Sequence, residues 1–204
     1  GYPGYLRERV EARFGGQALF MAGATGSMGP RAPEGADHFA RAEALAAGLD
    51  AAIGAMEMQP MAPEGEAGQA EGRLALGVVD LPLRSPPVQL RIARGLRLSP
   101  IFLAMNGVNR NGRMTAIMLG NLMIIGFPGD LSGEIGAELR AWGASRGLHV
   151  MATSFAGAYQ GYISPDVYYD ELRENGSLAY ETGIMSWMGP GQERFFVSTA
   201  HAVA

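Results

Sequence analysis

Lysine and cysteine are both absent from these 204 residues, and histidine occurs only three times. The lack of lysine excludes Schiff-base chemistry, a P-loop lysine and the Tyr-x-x-x-Lys pair of short-chain dehydrogenases. Without cysteine there is no thiolate nucleophile, no sulfur-ligated zinc and no disulfide, which leaves the redox compartment open. All sixteen basic residues are arginines; they are scattered, and the net charge is −4. No basic stripe is therefore available for nucleic acid or an anionic membrane. Nor does any apolar stretch reach the ~20 residues that a membrane-crossing helix needs. The start, Gly1-Tyr2-Pro3-Gly4, has neither a basic leader nor an apolar one.

What is present is a hydrophobic share of 48%, ample for a core, in a length that suits one domain spanning residues 1–204. Leu6, Val10 and Phe14 predict a short helix over Tyr5–Phe14 that stops at Gly15-Gly16. A strand over Gln17–Ala22 is expected to run into the turn Gly23-Ala24-Thr25-Gly26-Ser27-Met28-Gly29-Pro30. From Asp37, a competent N-cap, the stripe Phe39, Ala42, Ala46, Leu49, Ile53 and Met56 predicts a core-facing helix to about Met58. An exposed loop over Gln59–Arg73 and a strand over Leu74–Leu83 follow, and then a turn-rich stretch from Ser85 to Asn111. One strand over Met114–Ile125 leads to a helix starting near Asp130, with Leu131, Ile135, Leu139 and Trp142 on one face and Gly147 closing it. Leu148–Phe155 reads as a buried strand. The recurring order strand, turn, helix argues for an α/β domain, with mixed sheets layered with helices.

Two features carry chemistry. The apolar run Leu122-Met123-Ile124-Ile125 ends in Gly126-Phe127-Pro128-Gly129-Asp130, placing a carboxylate where strand meets loop. A tyrosine-rich turn, Tyr159-Gln160-Gly161-Tyr162-Ile163-Ser164, comes about thirty residues later. Asp130 has two readings, a helix cap or a hard oxygen ligand, and its two oxygens can serve both. The tyrosines can equally be half-buried rings with hydroxyls at the surface. The glycine turn Gly23–Gly29 resembles a nucleotide-binding loop, although Pro30, Pro33 and Gly35 delay any helix after it.

Asp130 with Gly136 and Leu139-Arg140, followed by Tyr159-x-x-Tyr162-Ile163-Ser164, Tyr169, Tyr180-Glu181 and Gly189-Pro190, resembles two motifs of the neutral/alkaline non-lysosomal ceramidase family, in that family's order. The resemblance implies the C-terminal part of a ceramidase-like catalytic domain, in a fragment or processed portion, secreted or periplasmic if it follows the family. It implies zinc, held by Asp130 at the family's glutamate position and by Tyr162, with histidine ligands from an upstream segment. The substrate implied is a lipid-like amide. In the same alignment Ser27 stands at the family's aspartate, and Gly29 stands at the serine regarded as catalytic. Three functions are thereby expected in descending order: part of a zinc-dependent amide hydrolase with the Gly26–Gly29 amides steadying an oxyanion; a catalytically silent scaffold binding a lipid or protein; and a nucleotide-binding domain through Gly23–Gly29.

Overall fold

The structure is a computed structural model that describes residues 1–31, 33–34, 37–57, 76–86, 91–93, 96–105, 107–108, 110–170, 179, 181–183 and 185–203. The expected loop Gln59–Arg73, the first residues of the strand expected from Leu74, and the motif residue Tyr180 lie outside the described residues. The chain divides into two compact units, one of residues 1–21 with 29–60 and one of residues 22–28 with 61–204.

The first unit is a helical pair. Helix α1, Tyr2–Phe14, starts with Pro3 in its first turn, where a missing amide costs nothing, and ends at Gly15 with φ 75°. Helix α2, His38–Gly54, is capped by Asp37, whose side chain accepts from the Ala40 amide at 2.8 Å. Arg13 joins the two helices by donating to both carboxylate oxygens of Asp50, at 3.0 and 2.8 Å. The expected apolar stripe of α2 is not a core face: only Ala46 is buried, while Phe39 is 73% exposed and Met56 64%. Between the helices, Gln17–Ala22 forms no strand.

The second unit is built on a four-stranded sheet whose strands, in spatial order, are residues 76–84, 111–119, 122–126 and 149–153. Strand β1, Leu76–Arg84, is followed by two short strands, β2 (Arg91–Ala93) and β3 (Leu96–Arg97), and a one-turn helix α3, Pro100–Met105. The single strand expected over Met114–Ile125 is two: β4, Asn111–Leu119, and β5, Leu122–Gly126, paired antiparallel. Gly120, at φ 58°, takes the first position of the two-residue turn between them. Strand β6 is Asp130–Leu131, helix α4 is Gly133–Ala144, β7 is His149–Thr153, β8 is Tyr162–Ile163 and helix α5 is Gln192–Ala202. Strands β5 and β7 are parallel, with α4 as their crossover.

One sheet face holds the core. Met114, Ala116, Met123, Ile125, Val150 and Ala152 cluster with Ile135 and Leu139 of α4 and with Phe196, Val197 and Ala200 of α5. The expected α4 stripe is therefore the one that packs. Its start differs, because Asp130 belongs to β6 and Ser132 is the cap, accepting from the Glu134 amide at 3.3 Å. Gly147, at φ 72°, closes the helix, and Leu148 donates to the Gly143 carbonyl at 3.0 Å. On the opposite face, pairing aligns Val78, Ile117, Ile124 and Met151 in one row across all four strands.

Gly143 is where α4 meets β7: a Cβ there would run into the Val150 side chain and lie 3.2 Å from the Leu148 carbonyl oxygen. Gly143→Ala is expected to destabilise the protein by about 1–3 kcal/mol through overpacking, despite alanine's better helix propensity, as a fall in thermal midpoint would record.

Candidate functional site

The backbone after β5 runs through Phe127-Pro128-Gly129, and its close approach to the segment before β8 is possible because residue 129 is a glycine. A Cβ on Gly129 would lie 2.6 Å from the Gly161 carbonyl oxygen. The chain then pairs β6 with β8 in parallel, setting Asp130 opposite Tyr162 and Leu131 opposite Ile163. Asp130 donates its amide to Gly161 O at 2.9 Å, and Ser132 donates to Ile163 O at 3.0 Å. Lateral neighbours in a parallel ladder are about 4.8 Å apart and project to one face. The two sequence-predicted metal ligands are thus brought side by side.

Asp130 is only 7% exposed. Its Oδ1 accepts from the Thr25 hydroxyl at 2.9 Å, and among the described residues Oδ2 has no donor. Thr25 arrives on the loop 22–28, which docks because Gly26 has no side chain. The Gly26 amide donates to Leu131 O at 2.8 Å, and a Cβ at Gly26 would sit 2.6 Å from Asp130 O. Ser154 secures the same loop, accepting from the Leu131 amide at 3.0 Å and donating to Gly23 O at 2.8 Å.

Ser27 is placed beside this pair but is already engaged. Its hydroxyl donates to Glu134 at 2.6 Å and accepts from the Gly133 amide at 3.0 Å. Glu134 is a hub, since Ser132 and Tyr168 also donate to it, Tyr168 at 2.6 Å. Hydrogen bonds from Ser132, then Ser27, then Tyr168 lower its pKa from 4.5 to about 2. So weak a base does not deprotonate a serine at neutral pH, and the Ser27–Glu134 contact acts as a clamp of the loop onto α4. Gly29 carries no hydroxyl, and a Cβ built on it meets nothing within 4 Å.

The expected oxyanion cradle of the Gly26–Gly29 amides is partly spent: Gly26 N serves Leu131 O, and Met28 N donates to Thr25 O at 2.9 Å. The nucleotide-loop expectation fails for a related reason. No strand precedes the turn, and among the described residues the next helix along the chain begins at His38, so the strand, glycine turn, helix order of such a loop is missing.

Tyr162 is held from behind. Its amide donates to Met185 O at 2.8 Å, and its carbonyl accepts from Ser186 Oγ at 3.1 Å. Ser186 is bonded to Tyr169 OH, and the Gln192 side-chain amide donates to both, at 2.9 Å and 2.7 Å. Gln192 is fully buried, and its Oε1 has no partner among the described residues. Reading the sequence singled out Asp130 and Tyr162, which the structure pairs, and gave Thr25 only as a hydroxyl of the turn rather than as the partner of Asp130; it missed Glu134 and Gln192. Only the order Ser132-Gly133-Glu134 ahead of an apolar stripe, a cap-like signature, pointed toward one of them.

As for a metal, Asp130 and Tyr162 offer two hard oxygens, one on a buried carboxylate with an open lone pair, which suits zinc. They are half a set. Among the described residues no three histidine, cysteine, aspartate or glutamate side chains stand together to hold an ion. His149 is exposed at the start of β7, and His201 stacks on Trp142 with ring centroids 4.4 Å apart.

With this geometry in hand, comparison with solved structures places the fold. The chain superposes on the neutral ceramidase of Pseudomonas aeruginosa with a TM-score of 0.62 over 98% of its length, at 15% identity. It also superposes on a ceramidase complexed with C2, at 0.59 over 96% of its length and 16% identity. In each case it spans 40% of the solved chain. No family model and no curated protein matches the sequence. The α/β architecture of mixed sheet and helices is therefore that found in part of ceramidases, a likeness of fold.

Three outcomes test this site. As Glu134 has a folded pKa below its unfolded value, its contribution is fully present above pH 4.5 and is lost as pH falls toward about 2. Ser27→Ala should raise the Glu134 pKa, read by carboxyl-carbon NMR titration, and Glu134→Gln should flatten the acid limb of stability between those values. Gly29→Ser, which enters open space, should leave the unfolding free energy, read by thermal melting, unchanged within about 0.5 kcal/mol.

Proposed function

We propose that this chain is part of a zinc-dependent hydrolase of an amide bond, ceramidase-like in its use of an acidic and a phenolic oxygen at one strand pair. The observation that carries the reading is the register of Asp130 against Tyr162 in β6 and β8, on a fold that is itself ceramidase-like. Zinc, when bound, polarises a scissile carbonyl and makes water acidic enough to act at neutral pH. The rest falls to the chain's own residues. Asp130 would hold the ion through Oδ2 while Thr25 fixes Oδ1 and so aims the carboxylate. Tyr162 would supply the second oxygen from a backbone clamped by Met185 and Ser186. On the resemblance, two imidazoles would be supplied by an upstream segment, since within the second unit His149 is exposed at the start of β7 and His201 is stacked on Trp142. The substrate class is an amide with an apolar, lipid-like portion.

A second reading has an observation in its favour. Ser27 is consumed by its bonds to Glu134 and Gly133, and Gly29 has no hydroxyl, so the turn offers no free nucleophile where the resemblance expects one. A catalytically silent scaffold that binds a lipid or a protein partner fits that arrangement.

Calorimetric titration with zinc, with imidazole added as a substitute for the missing ligands, separates the two. The hydrolase reading expects imidazole to tighten binding. It also expects Asp130→Asn and Tyr162→Phe each to weaken binding by at least the ~10–100-fold typical of losing an outer-shell partner. Equal zinc binding in wild type, Asp130→Asn and Tyr162→Phe removes the metal site and leaves the scaffold.

A further inference from the structure

Between β7 and β8 the chain makes an expensive choice. Phe155 has φ 61°, and no other described residue apart from glycine has positive φ. A bulky side chain pays in backbone strain there, and such strain persists where surrounding structure enforces it, typically at ligand sites. The enforcing contacts are visible: the Phe155 amide donates to Gly129 O at 3.0 Å, and the next residue, Ala156, donates to Phe127 O at 2.8 Å. The strained residue is not packed away, since its side chain is 51% exposed.

Its ring lies parallel to that of Tyr159, with centroids 5.9 Å apart and planes at 28°, and Tyr159 is itself 44% exposed. Tyr159 meets Trp187 edge-on at 5.4 Å. Trp187 in turn lies against Gly161, where a Cβ would come 2.9 Å from its Cγ. The three rings form a continuous surface, tied at one end to Gly129, the residue before Asp130, and at the other to Gly161, the residue before Tyr162. From Phe155 through Gln160 the sequence, Phe-Ala-Gly-Ala-Tyr-Gln, carries no charge. An alkyl chain laid on these ring faces would gain burial.

We propose that Phe155, Tyr159 and Trp187 form the subsite that takes the apolar chain of the amide substrate, laid alongside the Asp130–Tyr162 pair. The proposal deepens the hydrolase reading and names the residues that set its preference for chain length. Phe155 holds its positive-φ conformation to present its ring to that chain rather than to the core.

Equilibrium binding of a short-chain N-acyl ethanolamine and of its N-acetyl counterpart, followed by Trp187 fluorescence assigned with Trp187→Phe, tests this together with thermal melting. Wild type should bind the longer chain in preference to the acetyl compound. Phe155→Gly should melt at a higher temperature yet bind the longer chain about tenfold more weakly, since it removes both the strain and one aromatic face. Phe155→Asn, which tolerates positive φ, gives the same comparison should the glycine variant not fold. A lower midpoint with unchanged binding would make Phe155 an ordinary packing residue and overturn the subsite, as would equal affinity of wild type for the two compounds. The underlying reading fails separately: chain binding that survives in Asp130→Asn, from a protein whose zinc affinity is insensitive to that change, keeps the platform and removes the hydrolase.

Discussion

The contact on which the rest turns is backbone on backbone. Gly26 donates its amide to Leu131 O with nothing between, at a separation that admits no Cβ against Asp130 O. That approach sets the loop 22–28 on β6 and delivers Thr25 to Asp130 and Ser27 to Glu134. Remove the glycine's freedom from side-chain bulk and the carboxylate loses its orienting hydroxyl while α4 loses the clamp at its N-terminus. The site therefore depends less on the chemistry of its own groups than on how closely two main chains can approach.

Parts of this were legible in the amino-acid order. The α4 stripe of Ile135 and Leu139 packs as its spacing indicates, Gly147 ends that helix, and Asp37 caps α2. The failures have physical causes. Leu119 to Leu122 interrupt an apolar run with only Gly120 and Asn121, so hydrophobicity alone shows one strand where a hairpin exists. Asp130 and Ser132 are both competent caps two residues apart, and strand pairing with β8 decided between them. In α2, alanine-rich spacing produced a regular stripe whose large members face solvent, because periodicity records which residues share a face and says nothing about whether that face is covered.

The site itself was half legible. A strand-end acid and a tyrosine turn can be seen in one dimension, and their register brings them together. The residues that hold them cannot be seen this way. Thr25 is 105 positions from Asp130, and Gln192 acts on Tyr162 only through Tyr169 and Ser186. Such partners have no local signature, since only the tertiary fold brings them together.

The parallel pairing of β6 with β8 has a consequence for how the molecule comes into being. Parallel neighbours cannot be joined by a tight turn and need a crossover of about a dozen residues or more. Here the connection is α4, β7 and the aromatic segment, so Asp130 and Tyr162 become neighbours only once that whole excursion has been laid down. No early, locally folded intermediate can hold the two oxygens together, and their meeting belongs to the slow, high-contact-order end of folding. A half-folded chain, even one rich in helix, lacks the pair altogether.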